Sequence, residues 1–230
     1  GNIGMLKSSH GQIKVIPKQQ NISLNELNNS LTLDECVRQA MVLRENSDIS
    51  KTDLGNQLFE KAVQNSADKN FLEAVMLAGR LFSAEGQWEN ALEAYSLAQI
   101  NSKKEDTAYL IILLNIAHIQ RDNGEYDESS ATYGELVQAI RTQNLSNKMD
   151  VDSNKTKYRL LVGGIAEHND LLCSMDQYEE AANELDRFLE WYFANKNEKT
   201  FEEIDKEMNI TNIRNQVERC ATLYKNAGMD

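Results

Sequence analysis

From Thr32 onward, apolar residues recur at three- and four-residue intervals, interrupted by short polar stretches that carry glycine or asparagine. That period predicts amphipathic helices. Thr32 and Glu35 have the capping-box spacing that starts a helix, and Val37, Ala40, Met41 and Arg44 follow at helical intervals. Ser47 to Lys51 reads as a loop. A second helix from about Asp53 places Leu54, Leu58, Phe59, Ala62 and Val63 on one side. The pattern then predicts helical hairpins over about 34–66, 70–100, 107–142 and 156–195, and terminal helices over 200–228. Asn101-Ser102-Lys103-Lys104 connects two of these hairpins, and the polar stretch 143–155 reads as a long loop. Thr200 and Glu203 repeat the capping-box spacing ahead of Phe201, Ile204 and Met208, and a longer helix is expected from about Thr211 to Asn226.

Residues 1–30 lack this period. They are polar and asparagine-rich and read as an arm or an added edge. Within them Gln12-Ile13-Lys14-Val15-Ile16 alternates polar and apolar and fits an extended segment. Residues 1–4, before Met5, read as the remnant of a purification tag, which would make Met5 the natural start.

Small and large residues repeat in a fixed order inside the hairpins. The fullest copy is Val75, Ala78-Gly79, Phe82, Gly86, Ala91, Tyr95 and Ala98. Small side chains at 78 and 79 let the return helix approach closely. Gly86 suits the left-handed conformation that ends a helix. Ala91, Tyr95 and Ala98 form one face of the return helix. A second copy runs Leu113, Ile116-Ala117, Gln120, Gly124, Ser129, Tyr133 and Leu136. A third keeps Ile165, Leu172, Ala181, Leu185 and Phe188, but His168-Asn169 stand at the small positions and Asp176 at the turn. Gly55, Phe59 and Ala62 fit a return helix before the first copy, and Val217, Cys220-Ala221, Tyr224 and Gly228 fit a first helix after the third.

This skeleton resembles the tetratricopeptide repeat (TPR) family, firmly over 70–140 and by pattern over about 50–228. The spacing from Gly86 to Gly124 to Asp176 exceeds the family unit of about 34 residues. The resemblance implies an all-α fold, a right-handed α-solenoid of stacked antiparallel helical hairpins over 31–230. It also implies a concave groove, lined by the first helix of each hairpin, that binds a peptide or protein segment. Taking the faces that the skeleton leaves free, the groove residues are Glu73, Met76, Arg80 and Ser83, then Ile111, Leu114, His118 and Arg121, then Glu167 and Asp170. Family members that grip a C-terminal carboxylate use lysines, arginines and asparagines on these faces. Only Asn115 and the arginines come near that set, so no carboxylate clamp is expected. A mixed apolar and charged surface suits an extended or helical segment anchored by a few side chains.

Composition narrows the partner. Twenty-four basic against 36 acidic residues leave a net charge of -12, which argues against nucleic acid and against an anionic membrane surface. No apolar run reaches spanning length; Tyr109 to Ile119 is broken by Asn115 and His118. With no signal-peptide pattern, a cytoplasmic location is expected. Cys36, Cys173 and Cys220 are odd in number and widely spaced, so they read as buried free thiols.

Candidate chemistry is sparse. Asp150, Asp152 and Asn154 copy the first ligands of a calcium loop, but Lys155 and Leu161 stand where the loop needs glycine and glutamate. His168, Asp170 and Cys173 share a helix, yet His168 falls on an inward position and reads as a hydrogen-bonded core histidine. Gly163-Gly164 lacks the lysine of a phosphate loop. No Ser/His/Asp or Cys/His arrangement can be placed from spacing. Trp191-Tyr192-Phe193 is expected to pack beneath the Phe201–Met208 helix, and Trp88 at its turn to act as a wedge. The expectation is therefore a non-catalytic adaptor or scaffold with no cofactor and no metal, of undetermined oligomeric state. A self-assembling structural protein, using its terminal helix and N-terminal arm, is the alternative. An enzyme would require a close trio around His118 or His168.

Overall fold

Helix starts and stops follow local chemistry closely. In the computed structural model, the Thr32 hydroxyl accepts from the backbone N–H of Glu35 and opens α1 (Leu33–Leu43). Ser50 does the same for Asp53 and opens α2 (Lys51–Gln64), so that helix begins two residues before the expected Asp53. The structure describes the backbone of residues 3–7, 13–17, 31–143, 145, 151–195 and 210–228; side chains are described for 31–143, 145, 152–195 and 214–228. Among these residues the fold is all-α apart from one antiparallel pair, β1 (Ile3–Lys7) with β2 (Ile13–Pro17). The pair confirms the extended reading at Ile13–Ile16. It also draws Ile3 and Gly4, read as tag remnant, into a strand paired in register with Pro17 and Ile16, and β1 lies against α1.

The chain divides into two compact units, Gly1–Ser102 and Lys103–Asp230, within the connector expected at 101–104. In the first unit, α1 and α2 precede α3 (Phe71–Ala84) and α4 (Trp88–Ile100). Each helix packs on the next, and α1 also touches α3. The core of this unit holds Leu54, Leu58, Ala74, Val75, Ala78, Phe82, Ala91, Tyr95 and Ala98. A Cβ on Gly79 would stand 2.7 Å from Cε2 of Tyr95, so the ring occupies the space that the missing side chain leaves. Burial pushes the Tyr95 hydroxyl up to about 12. Met41 and Val63, placed on apolar faces from the sequence, are exposed at 43% and 49%; Cys36 and Gln39 are buried on α1 instead.

The second unit holds α5 (Thr107–Asp122), α6 (Tyr126–Arg141), α7 (Val151–Ser174), α8 (Tyr178–Asn195) and α9 (Ile210–Asn226). Successive helices from α5 to α8 pack on one another, α5 touches α7, and α9 packs on α8. Helix α7 starts inside the stretch expected to be a loop. Asn154 explains the error: it is buried, its Nδ2 donates to the carbonyl of buried Leu145, and it begins the inward stripe Asn154, Tyr158, Leu161, Ile165, His168, Leu172. With Asp152 and Asn154 in a helix, the calcium-loop spacing has no loop to act in. Trp191 stacks on Tyr158 and Phe188, Tyr192 is buried and Phe193 is 51% exposed. The expected helix around Phe201–Met208, Asn144 and residues 146–150 lie outside the described residues.

Three turns close their hairpins identically. Gly86 (φ 70°), Gly124 (φ 80°) and Asp176 (φ 59°) are left-handed. The following N–H reaches back in each case: Gln87 to Phe82, Glu125 to Gln120 and Gln177 to Leu172. This is the Schellman closure, in which a left-handed residue satisfies the helix's last carbonyls. None of the three cysteines forms a disulfide; Cys36 and Cys220 are buried, and Cys173 is half-buried. Burial pushes Cys36 up to about 11, which leaves it an unreactive thiol at neutral pH.

Candidate functional site

The residues expected to line a groove divide between the two units. On α3 of the first unit, Glu73 and Arg80 are exposed. Met76 is buried, and this corrects its placement on an open face. The Ser83 hydroxyl donates to the Gly79 carbonyl one turn back, which uses its hydrogen.

In the second unit the geometry is more specific. Ile111, Leu114, His118 and Arg121 are half-buried along α5, as is Glu167 on α7, and Asp170 is exposed one turn further. Arg121, Glu167 and Asp170 line one open cleft of about 510 Å³, together with Asp122, Tyr126, Leu171 and Ser174. Tyr126, the first residue of α6, stays 50% exposed on its wall, and Leu171 is buried. Sequence reasoning missed Leu171 and Ser174 and, beside the turn, Asp122 and Tyr126. The only signal for the latter two was position: both flank the turn at Gly124, which carries them to the end of the hairpin.

Behind the cleft lies a continuous polar network. The proton on Nε2 of His118 is donated to the Glu167 carboxylate, at 2.7 Å. Tyr133 donates its hydroxyl to the same oxygen at 3.2 Å and accepts from the Arg121 guanidinium at 3.3 Å. Arg121 also donates to Asp122 at 3.2 Å. The hydrogen bond from His118 is the main reason the Glu167 carboxyl sits below its ordinary range; burial opposes it. Burial, with the nearby Glu167 charge, raises the Tyr133 hydroxyl. Tyr133 matched a helix-contact position of the repeat, and it fills that position while also serving the network.

His168 extends the network inward. Its ring stacks on Tyr133 with centroids 5.7 Å apart. Nδ1 lies 2.6 Å from Glu184 and Nε2 lies 2.7 Å from the Ser130 hydroxyl. A carboxylate only accepts, so Nδ1 carries the proton, and in the neutral ring Nε2 accepts from Ser130. Asn169 donates to the Ile165 carbonyl and, at 3.4 Å, to Glu184. His168 is thus the hydrogen-bonded core histidine that its inward position predicts. Its partners form a Ser/His/carboxylate arrangement that could not be placed from spacing: Ser130, His168 and Glu184, from three helices. No spacing rule links positions on α6, α7 and α8, so the sequence could not reveal it.

The chemistry open to this trio is limited by its backbone. A serine nucleophile needs free N–H donors beside it for the developing oxyanion. Ser130 lies within α6, where its N–H belongs to the helix ladder, and neither Ser130 nor His168 lines the cleft. His168 and Asp170 turn to different partners, Glu184 and Arg219, so they do not converge on one ion. Among the described residues no group of three histidine, cysteine, aspartate or glutamate side chains is arranged to hold a metal, and no helix is long and apolar enough to cross a membrane.

No protein-family model matches the chain, and no curated protein matches it. Among solved structures, the crystal structure of BtubC (BKLC) from P. vanneervenii is similar at 14% identity, covering 90% of this chain and 85% of that one, with a TM-score of 0.31. At that TM-score the likeness carries no argument about fold or function.

Proposed function

We propose that this chain is a non-catalytic interaction module, an adaptor or scaffold built from tetratricopeptide-like hairpins, that holds a peptide or protein segment. The observation that carries the reading is the cleft of the second unit, where Arg121, Glu167 and Asp170 meet an exposed aromatic wall. These three residues come from the faces that the repeat skeleton leaves free. The thrice-repeated turn closure, and the contact of α5 with α7, support the repeat architecture. Three cysteines outside any disulfide suit a cytoplasmic setting.

The test is selection of a random peptide library on the full chain, repeated with Tyr126→Ala. Enriched peptides that lose binding to the variant place the segment in the cleft. A library that returns no peptide above background rejects the module reading.

The Ser130–His168–Glu184 trio raises a second reading, an enzyme of acyl transfer, against which stand the helical N–H of Ser130 and the place of the trio outside the cleft lining. A fluorophosphonate probe decides it. Labelling of Ser130 that disappears in His168→Gln would support catalysis; an unlabelled protein would leave the trio as part of the core.

A further inference from the structure

We propose that the cleft of the second unit receives a cationic side chain, lysine or arginine, from a basic peptide segment. This rests on the reading of the chain as a peptide-binding module and adds the chemistry of what it binds. At about 510 Å³ the cleft has the size of a small-ligand pocket, enough for one long side chain with its flanking backbone. Its wall and floor match the stem of such a side chain: the half-exposed ring of Tyr126 and the aliphatic Leu171. An aromatic face beside carboxylates also attracts the charged end of the side chain.

Charge separates a basic partner from an acidic one. Asp122, Glu167 and Asp170 line the cleft against a single cation, Arg121. Arg121 is already engaged by Asp122 and Tyr133. Asp170 pairs with Arg219 of α9 yet stays 70% exposed, leaving much of its carboxylate open to an incoming donor. Asp127 and Glu128 in the first turn of α6 add negative charge next to Tyr126 in sequence. Glu167 is held ionised by its bond from His118. A carboxylate-bearing segment would meet like charges with no unpaired cation among the lining residues to compensate. A lysine or arginine would complete the pattern, with the chain's net charge of -12 steering its approach.

The experiment uses the full chain and short fluorescein-labelled peptides of equal length that alternate leucine with lysine, glutamate or serine. Binding is read by fluorescence anisotropy at physiological ionic strength. The lysine peptide is expected to bind, and Asp122→Asn with Asp170→Asn to weaken it about tenfold. Glu89→Gln with Glu93→Gln removes the same charge from exposed positions on α4 and should change binding less than about twofold. Equal losses in the two variants would reduce the attraction to diffuse charge and overturn the proposal. Tighter binding of the glutamate or serine peptide, altered by the cleft variant, would reject the cationic occupant and leave the peptide module standing. No binding of any of the peptides would overturn the cationic occupant, and the library selection then decides the module.

Discussion

The α3–α4 and α7–α8 hairpins solve the same packing problem with opposite chemistry. In α3–α4 the helices close on Ala78, Gly79 and Ala94, and the ring of Tyr95 fills the space over Gly79. In α7–α8 the matching positions hold His168, Asn169 and Glu184, all buried and bonded to one another. The α5–α6 hairpin is intermediate: Ser129 replaces the alanine at position 91 and donates to the Ala117 carbonyl, and Gln120 replaces Phe82 and accepts from Thr132. Departure from the repeat pattern is therefore not loss of structure. Apolar contacts are exchanged, hairpin by hairpin, for internal hydrogen bonds. The exchange has a consequence: an apolar contact survives loss of one atom at modest cost, whereas a buried network leaves orphaned groups when one member goes.

The largest expected effect follows from that difference. Glu184→Ala removes the acceptor of His168 and one of the two acceptors of Asn169, and leaves a cavity. Each orphaned donor costs about 1–3 kcal/mol, so a loss of about 3 kcal/mol or more is expected in urea unfolding. Gly79→Leu in the apolar hairpin should cost about 1–3 kcal/mol by driving the Tyr95 ring outward. If Gly79→Leu proves the costlier, the contrast between the hairpins is wrong. Installing the apolar set together, His168→Ala, Asn169→Gly, Glu184→Ala and Leu185→Tyr with Ser130→Ala for the remaining partner of His168, sharpens it: removing every partner at once should cost less than Glu184→Ala alone.

The contrast also explains what could be read from sequence. The α3–α4 hairpin was legible because its steric requirements fall on single residue types at fixed spacing, Gly79 and Gly86 above all. The start of α7 was not, because Asn154 looks like a loop residue until Leu145 supplies its partner. The cleft-lining residues Arg121, Glu167 and Asp170 were legible as faces that the skeleton leaves free. Met76 was not, since a face left free by the skeleton can still be covered by its neighbours. Ser130 and Glu184 lie on return helices, where the pattern assigned no role, and only the packing of three helices brings them to His168.

Acidification should act on both units through carboxylates that accept hydrogen bonds, with a smaller effect. The N–H of Thr52 holds Glu85 below its ordinary value of 4.5 in the first unit, and His118 does the same for Glu167 in the second. A depressed folded value contributes stability that is present above about 4.5 and lost as pH falls through the folded value. Glu167→Gln and Glu85→Gln should each flatten the fall in melting temperature over that window. Glu85 lies on the surface, so its share should vanish in high salt while that of half-buried Glu167 persists. Equal salt sensitivity would place both carboxylates in the same environment and weaken the distinction between the units.

The smallest expected effect concerns the turns, where the hairpins are most alike. Asp176 holds a φ of 59° that glycine holds at 86 and 124. A Cβ in that conformation costs about 1 kcal/mol, less for aspartate than for most residues. Asp176→Gly should relieve that strain but lose the bond from the Tyr178 hydroxyl to the Asp176 carboxylate and free the unfolded chain. These terms nearly cancel, so a change within about 0.5 kcal/mol is expected. Gly86→Asp adds the strain and places the side chain against the Trp88 ring instead of a tyrosine hydroxyl, and should destabilise by about 1 kcal/mol. The asymmetry is the point of the pair. If both substitutions cost the same, Tyr178 does nothing for its turn, and the polar hairpin tolerates aspartate for backbone reasons alone. If Asp176→Gly is the worse of the two, the side-chain bond outweighs the strain, and the exchange of apolar for polar contacts extends to the turn itself.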